Sequence, residues 1–294
     1  MELRQLKYFI KAAELENFTD AAAALYITQS TLSQQIKQLE DGLSIPLFDR
    51  IGKRVRLTEA GKLFLPYAKK TAADAEDGRS ILKDLMNLQT GTLTIGVTYG
   101  LTHLLTKAIV SFSEQCPDIK LHISFGTTQE LLTKLGNGHI DMMLSFLPVQ
   151  ETTTYVAEKL FSSHLSLIVH ESHPLSKKKQ LDLKQLEELP LLLPANGYSI
   201  RNILDSILEK HQVIADVKME VNDINTLLQL VDTGKWCTIL MSTTVFNYPK
   251  LKAVKIAGAE MVRPATITWP ANAYRKKAAV LLEGQLRKFA GEYR

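Results

Sequence analysis

Cysteine is nearly absent: Cys116 and Cys237 are the only two in 294 residues. Secreted domains stapled by disulfides use more cysteines at closer spacing, so the count points to a reducing compartment, and the chain is expected in the cytoplasm. Both cysteines lie beside apolar stretches and read as small buried hydrophobes; a peroxide-sensing pair is the alternative. Long apolar runs are missing too. None approaches the ~20 residues of a membrane span, and Pro190 and Pro194 interrupt the most apolar stretch, Leu189 to Ala195. Met1-Glu2-Leu3-Arg4 leads directly into an amphipathic pattern, without the apolar core of a signal peptide. No membrane partner is therefore expected. The chain also lacks a nucleophile elbow, a P-loop and a dinucleotide fingerprint. His170-Glu171-Ser172-His173 does not have the spacing of a helical zinc pair and fits a strand end. The expected catalytic residues, metal ligands and cofactors are none, and the protein is not expected to be an enzyme.

What remains is an ordinary soluble composition, 45% hydrophobic and 22% charged, long enough for two domains or three. The net charge of +4 permits a polyanionic partner without demanding one, so the local distribution decides. Residues 1–58 read as three helices and a hairpin. Leu3, Leu6, Phe9, Ile10 and Ala13 recur at helical spacing. Thr19 is the expected N-cap of the second helix and Thr28 that of the third. Residues 59–89 predict one long helix, with Phe64, Ala68, Ala72, Ala75, Leu82 and Met86 near one stripe and Gly78 weakening its middle. From Gly91 strand and helix signals alternate to the end, the pattern of an α/β domain with a mostly parallel sheet.

The segment Phe18 to Glu40 carries the chemistry. Ala21, Ala22 and Ala23 are small where two helices cross, Leu25, Ile27, Leu32 and Ile36 are apolar anchors, and Tyr26-Ile27-Thr28 is a short turn. This is the pattern of a helix-turn-helix. Its second helix is expected to expose Gln29, Ser30, Thr31, Ser33, Gln34, Gln35 and Lys37, mostly uncharged hydrogen-bonding side chains suited to base edges and phosphates. Thr28 and the helix N-terminus suit a backbone phosphate. Downstream, Arg50, Lys53, Arg54 and Arg56 flank a glycine turn with no acidic residue among them. A basic hairpin beside a recognition helix is a winged helix-turn-helix, and its expected partner is double-stranded promoter DNA. A solvated polar helix and an ordinary alanine-rich helix are the blander readings of each part alone; the order and combination favour DNA.

These residues closely resemble the LysR-type transcriptional regulators. The resemblance rests on Ala21-Ala22, Leu25, Gln29-Ser30, Ser33, Ile36, Leu39-Glu40, Pro46-Leu47-Phe48, Arg50 and Leu57-Thr58-Glu59-Ala60-Gly61. Ser44 departs from it, standing where a glycine is usual. The resemblance continues more weakly after residue 91, through Gly91 to Gly96, His173-Pro174-Leu175 and Gly234 to Met241. It implies a winged helix-turn-helix over 1–58, a dimerising linker helix over 59–89, and an effector-binding domain over 90–294. That domain is expected to resemble a periplasmic binding protein, with one lobe at about 90–162 and 268–294, the other at about 163–267, and two crossover strands. It also implies self-association as a dimer or a homotetramer, RNA polymerase as a further partner, and a small-molecule inducer that changes the bend imposed on promoter DNA.

In such folds the ligand lies between lobes, at strand C-termini and helix N-termini. The loops at Val97 to Gly100, Gly126 to Gln129, Ser145-Phe146 and Ala195 to Ser199 match that position. The expected effector residues are Thr98, Tyr99, Gly100, Thr127, Thr128, Phe146, Tyr198 and Ser199, with hydroxyls as donors and aromatic rings as walls. Plain helix capping is the blander reading of each Ser and Thr. Arg201 reads either as a partner for an anionic inducer or, more simply, as a solvated helix residue. The sequence leaves open an anionic, aromatic or amino-acid inducer. Two other functions compete: an α/β enzyme or binding protein whose N-terminal module only oligomerises, and a regulator whose α/β region is a scaffold without ligand.

Overall fold

A computed structural model describes every residue except 52–53, 87–89, 272 and 294, and leaves aside the side chains at 50, 51, 54 and 83–85. The chain divides into two compact units, Met1–Asn87 and Leu88–Arg294.

The first unit contains α1 (Leu3–Leu15), α2 (Phe18–Ala24), α3 (Gln29–Leu43), β1 (Phe48–Ile51), β2 (Arg54–Leu57) and α4 (Glu59–Leu85). The N-cap of α2 is Asn17 rather than Thr19: its side-chain oxygen accepts from the Thr19 and Asp20 amides at 2.9 and 3.3 Å. Phe18 is thereby the first helical residue and buries its ring against Phe48, with centroids 5.3 Å apart. Thr28 caps α3, accepting from the Thr31 amide at 3.2 Å. Leu32, Ile36 and Leu39 form the buried stripe of α3, each contributing about 1.5–3 kcal/mol of hydrophobic stabilisation.

Several motif residues work through the backbone. Glu40 Oε1 accepts from the Leu47 and Phe48 amides at 2.7 and 3.0 Å, fixing the entry to the hairpin. Thr58 donates to the Pro46 carbonyl at 2.8 Å and accepts from the Gly61 amide at 3.0 Å. Gly61 lies so close to the chain that a Cβ there would sit 2.1 Å from the Leu47 carbonyl oxygen. Ser44, where the family pattern has glycine, caps α3 with φ 57° and ψ 27°, the left-handed region that favours glycine. Helix α4 continues through Pro66 and Gly78. Its predicted stripe divides: Phe64 and Ala68 pack into the core of this unit, whereas Leu82 and Met86 are exposed.

In the second unit the chain runs β3 (Gly91–Val97), α5 (Thr102–Gln115), β4 (Ile119–Phe125), α6 (Thr128–Gly136), β5 (Met142–Ser145), β6 (Gln150–Glu151) and β7 (Tyr155–His170). It continues through β8 (Gln180–Leu181), β9 (Leu191–Pro194), α7 (Ser199–Lys210), β10 (Val217–Val221), α8 (Ile224–Asp232) and β11 (Cys237–Met241). It closes with β12 (Leu251–Ile256), β13 (Val262–Pro270) and α9 (Lys277–Ala290). Strand β3 pairs in parallel with β4 and β5, and β9 pairs in parallel with β10 and β11. The parallel expectation applies within these sets and to the short pairing of β8 with β12. The long strands β7 and β13 run antiparallel to each other and pass between the lobes. On β7, residues up to His164 pair with β13, and residues from Leu165 onward pair with β11 and β12. Ala265 and Ile267 pack in the first lobe's core with Leu93, Phe112 and Leu282, so on β13 that lobe begins before the expected residue 268. Leu167, Leu191, Ile239 and Ile256 belong to the second lobe's core.

Candidate functional site

On the recognition helix Thr28, Gln29, Ser30, Thr31, Gln34 and Lys37 are exposed. Ser33 and Gln35 are half-buried, against expectation. At 100° per residue they flank the buried Leu32–Ile36 stripe, and the Gln35 Oε1 is itself buried. The exposed polar groups are held in register by one another. Thr28 Oγ1 lies 2.9 Å from Ser30 Oγ and 2.8 Å from Thr31 Oγ1, and Gln29 Nε2 donates to Ser33 Oγ at 3.0 Å. In the hairpin, Asp49 is opposite Arg56 and Arg50 opposite Val55. Arg56 is exposed. Lys53 and the side chains of Arg50 and Arg54 lie outside the described residues. Tyr26, in the turn before Thr28, has φ 56° and is 95% exposed.

The second unit brings Thr98, Tyr99, Gly100, Thr127, Thr128, Phe146, Tyr198 and Ser199 onto one cleft. The first six belong to one lobe and the last two to the other. Thr128 and Ser199 bridge the lobes, their hydroxyl oxygens 2.9 Å apart. A second bridge runs from the Thr243 hydroxyl to the Gly100 carbonyl at 2.6 Å. Tyr99 stacks on Phe125 with centroids 5.0 Å apart. Gly100 has no room for a side chain: a Cβ would approach Phe146 Cε2 to 2.7 Å. Tyr198 donates to the Asn222 carbonyl at 2.5 Å. Its pKa is raised by burial and by Tyr99, Asp223 and Glu130, so it stays protonated.

Three helices begin at this cleft, and two are capped by carboxylate-bearing turns. Thr127 caps α6 reciprocally with Glu130, whose pKa is lowered by the Thr127 amide and hydroxyl. Asp223 caps α8, its pKa lowered by the Thr226 hydroxyl and amide. Tyr198 gives α7 no side-chain cap; its carbonyl accepts from the Arg201 and Asn202 amides at 3.0 and 3.1 Å.

Sequence reasoning passed over Ile200, Ile224, Leu240, Met241 and Thr244, which also line the cleft. The end of β11 obeys the same strand-terminus rule as the chosen loops, and applying it there finds Leu240 to Thr244. Arg201 is not solvated, its side chain being only 11% exposed. Its guanidinium bonds Asp205 at 2.8 Å, Glu220 at 2.7 Å and the Pro194 carbonyl at 3.0 Å. Burial opposes its charge, but these bonds outweigh that and raise its pKa.

His170 Nδ1 pairs with Ser172 Oγ and His173 Nδ1 accepts from the Leu175 amide, so both serve local turns. Among the described residues no cluster suits a metal. Cys116 and Cys237 lie in the separate cores of the two lobes. Burial raises both thiols, Cys237 to about 11. Among the described residues no helix is long and apolar enough to cross a membrane.

Residues 3–62 match the bacterial regulatory helix-turn-helix protein family of lysR type, and residues 87–290 match the LysR substrate binding domain. The chain is a LysR-type transcriptional regulator. A probable RuBisCO transcriptional regulator of Phaeodactylum tricornutum is 30% identical to it, over 99% of this chain and 97% of its own. The HTH-type regulator YybE of Bacillus subtilis is 28% identical over 92% of each chain. In fold it resembles a full-length OxyR variant of Pseudomonas aeruginosa, with a TM-score of 0.76 at 24% identity, covering 98% of each chain. Full-length CbnR in complex with its target DNA gives a TM-score of 0.65 at 22% identity, covering 98% of this chain and 100% of that one. As a LysR-type regulator the protein has a DNA-binding helix-turn-helix and an effector-binding domain.

Proposed function

We propose that this regulator reads promoter DNA with Thr28, Gln29, Ser30, Thr31, Gln34 and Lys37 of α3, and positions itself on phosphates with Arg50, Lys53, Arg54 and Arg56. A small molecule bound in the cleft between the lobes controls it. The observation that carries this reading is the cross-cleft pair Thr128–Ser199 at 2.9 Å. Hydroxyls that bond each other across two lobes are also placed to bond one ligand from both sides. Such a ligand favours one closure state and shifts the population toward it.

One winged module makes few specific contacts, so the protein acts as a dimer or a dimer of dimers, in which linked modules gain from effective concentration. Leu63, Tyr67 and Leu82 of α4, and Met86 just after it, are 63–71% exposed and supply apolar surface for that association. Lobe closure that changes the spacing of the paired modules changes the DNA bend, which costs a few kcal/mol and is therefore controllable. RNA polymerase then meets a differently shaped promoter. The protein works in the cytoplasm, and it is not an enzyme.

The test is binding to the DNA upstream of its own gene, across a salt series, against random DNA of equal length. Preference for the native fragment, with an affinity that falls steeply as salt rises, is the expected outcome. Equal affinity for both fragments, or none at low salt, removes the DNA assignment. A change in the affinity or bend of the native fragment on adding an inducer completes it.

A further inference from the structure

A second pocket adjoins the cleft just described. Tyr99, Ile224 and Thr244 border both spaces, so the two compartments share a wall. The outer compartment also draws on both lobes: Thr102 and His103 at the start of α5 on one side, Asn225 and Tyr248 on the other.

Its hydrogen-bonding groups fall into two sets. The hydroxyls of Thr102 and Thr243 are engaged, donating to the carbonyls of Tyr99 at 2.8 Å and Gly100 at 2.6 Å. Among the described residues no side-chain hydrogen bond is shown for Asn225, Asn247, Thr244 or Tyr248; the two asparagine side chains are exposed, and the Asn225 backbone amide bonds Asp223. His103 binds Tyr293 through Nδ1 at 2.5 Å, which leaves Nε2 facing its surroundings. Burial and the neighbouring Lys107 lower the pKa of His103, which keeps the ring neutral. Leu228 and Ile224 supply an apolar floor.

Among the described residues no Lys, Arg, Asp or Glu lines the space. The nearest charges acting on Tyr248 are the carboxylates of Asp223 and Asp232. An anion entering here finds no guanidinium or ammonium group among the lining residues to pair with, and a cation finds no carboxylate there. Amide and hydroxyl groups that donate and accept, above an apolar floor, match a ligand with several hydroxyls and no charge. We propose that the outer compartment binds an uncharged, hydroxyl-rich small molecule such as a sugar or a cyclic polyol, held by Asn225, Asn247 and Tyr248. Because both lobes contact it, occupancy biases closure and couples to the inner cleft through Tyr99, Ile224 and Thr244, a coupling that acts equally in both directions. The binding stands alone; only its regulatory consequence rests on reading the inner cleft as the effector site.

The test uses the full chain and measures thermal unfolding against increasing glucose and myo-inositol, with gluconate and glucuronate as charged counterparts. Polyols stabilise any protein by exclusion, without saturating. Binding adds a saturable rise, expected to be at least about 2 °C for one of the neutral probes. The Asn225→Leu/Asn247→Leu variant and, separately, Tyr248→Phe are expected to remove or reduce that saturable part and keep the linear one. A saturable rise with the acids alone overturns the proposal. So does a rise that is linear only, or one unchanged in both variants. Promoter binding that ignores every ligand would defeat the effector reading while leaving this saturable rise intact, so the two failures are distinguishable.

Discussion

The winged-helix unit and the two-lobed unit perform recognition with opposite arrangements of residues. The proposed DNA-reading face comes from one helix and one hairpin, between Thr28 and Arg56, adjacent along the chain. The cleft is assembled from strand ends far apart in sequence: Thr128 meets Ser199 across 71 positions and Thr243 meets Gly100 across 143. In the first site, the recognition helix and the described hairpin residues Phe48 and Val55 share one small core. The second lies between two cores joined by β7 and β13, so its geometry can change by bending two strands. A reader of DNA gains from a fixed face, and a sensor gains from two states of similar energy.

The largest effect that sharpens this contrast is expected from Gly61→Ala, whose Cβ would fall 2.1 Å from the Leu47 carbonyl oxygen. The backbone must move, at a cost of about 3 kcal/mol or more. Calorimetry should show the N-terminal unit melting earlier and the effector unit unchanged; a joint shift of both transitions would deny their independence. Next come two DNA-face variants. Gln34→Ala should lose about 1–3 kcal/mol of discrimination at one base position. Arg56→Ala should weaken native and random DNA alike and reduce the salt slope by about one. Equal effects of both variants on both DNAs would contradict these roles.

In the sensor, Thr128→Val removes the bridge to Ser199 and should leave DNA affinity without inducer within a few-fold, while blunting the inducer's effect. An unaltered inducer response removes Thr128 from the site. The smallest effect is Ser44→Gly. Relief of left-handed strain, roughly 1 kcal/mol, is partly offset by glycine's freedom in the unfolded chain, for a net gain of about 0.5 kcal/mol. A lower melting temperature would show that Ser44 serves some other purpose.

Legibility in the sequence followed the same division. The helix-turn-helix could be read because periodicity and caps are local: Leu32, Ile36 and Leu39 mark the buried stripe, and Thr28 marks the start of α3. The errors there were local as well. Asn17 and Thr19 are both good caps, and only the burial of Phe18 decides that the helix begins with Phe18. Ser33 and Gln35 look like their exposed neighbours, but the angular position of each beside the core makes them half-buried. For the cleft, the strand-end rule found eight lining residues and missed the end of β11. Leu240 and Met241 are apolar there and carry no polar marker.

The sequence by itself determined the order of the N-terminal helices, the recognition helix, the basic hairpin, the alternation of strands and helices after Gly91 and the loops that terminate parallel strands. Short-range steric and hydrogen-bonding preferences fix those features within a few residues. Only the tertiary structure decided that β7 and β13 are shared antiparallel strands, and that Arg201 is consumed by Asp205, Glu220 and the Pro194 carbonyl. It alone placed the two cysteines in separate cores and divided the cleft into two compartments. Those outcomes depend on which distant surfaces come together, and the packing of whole lobes settles that.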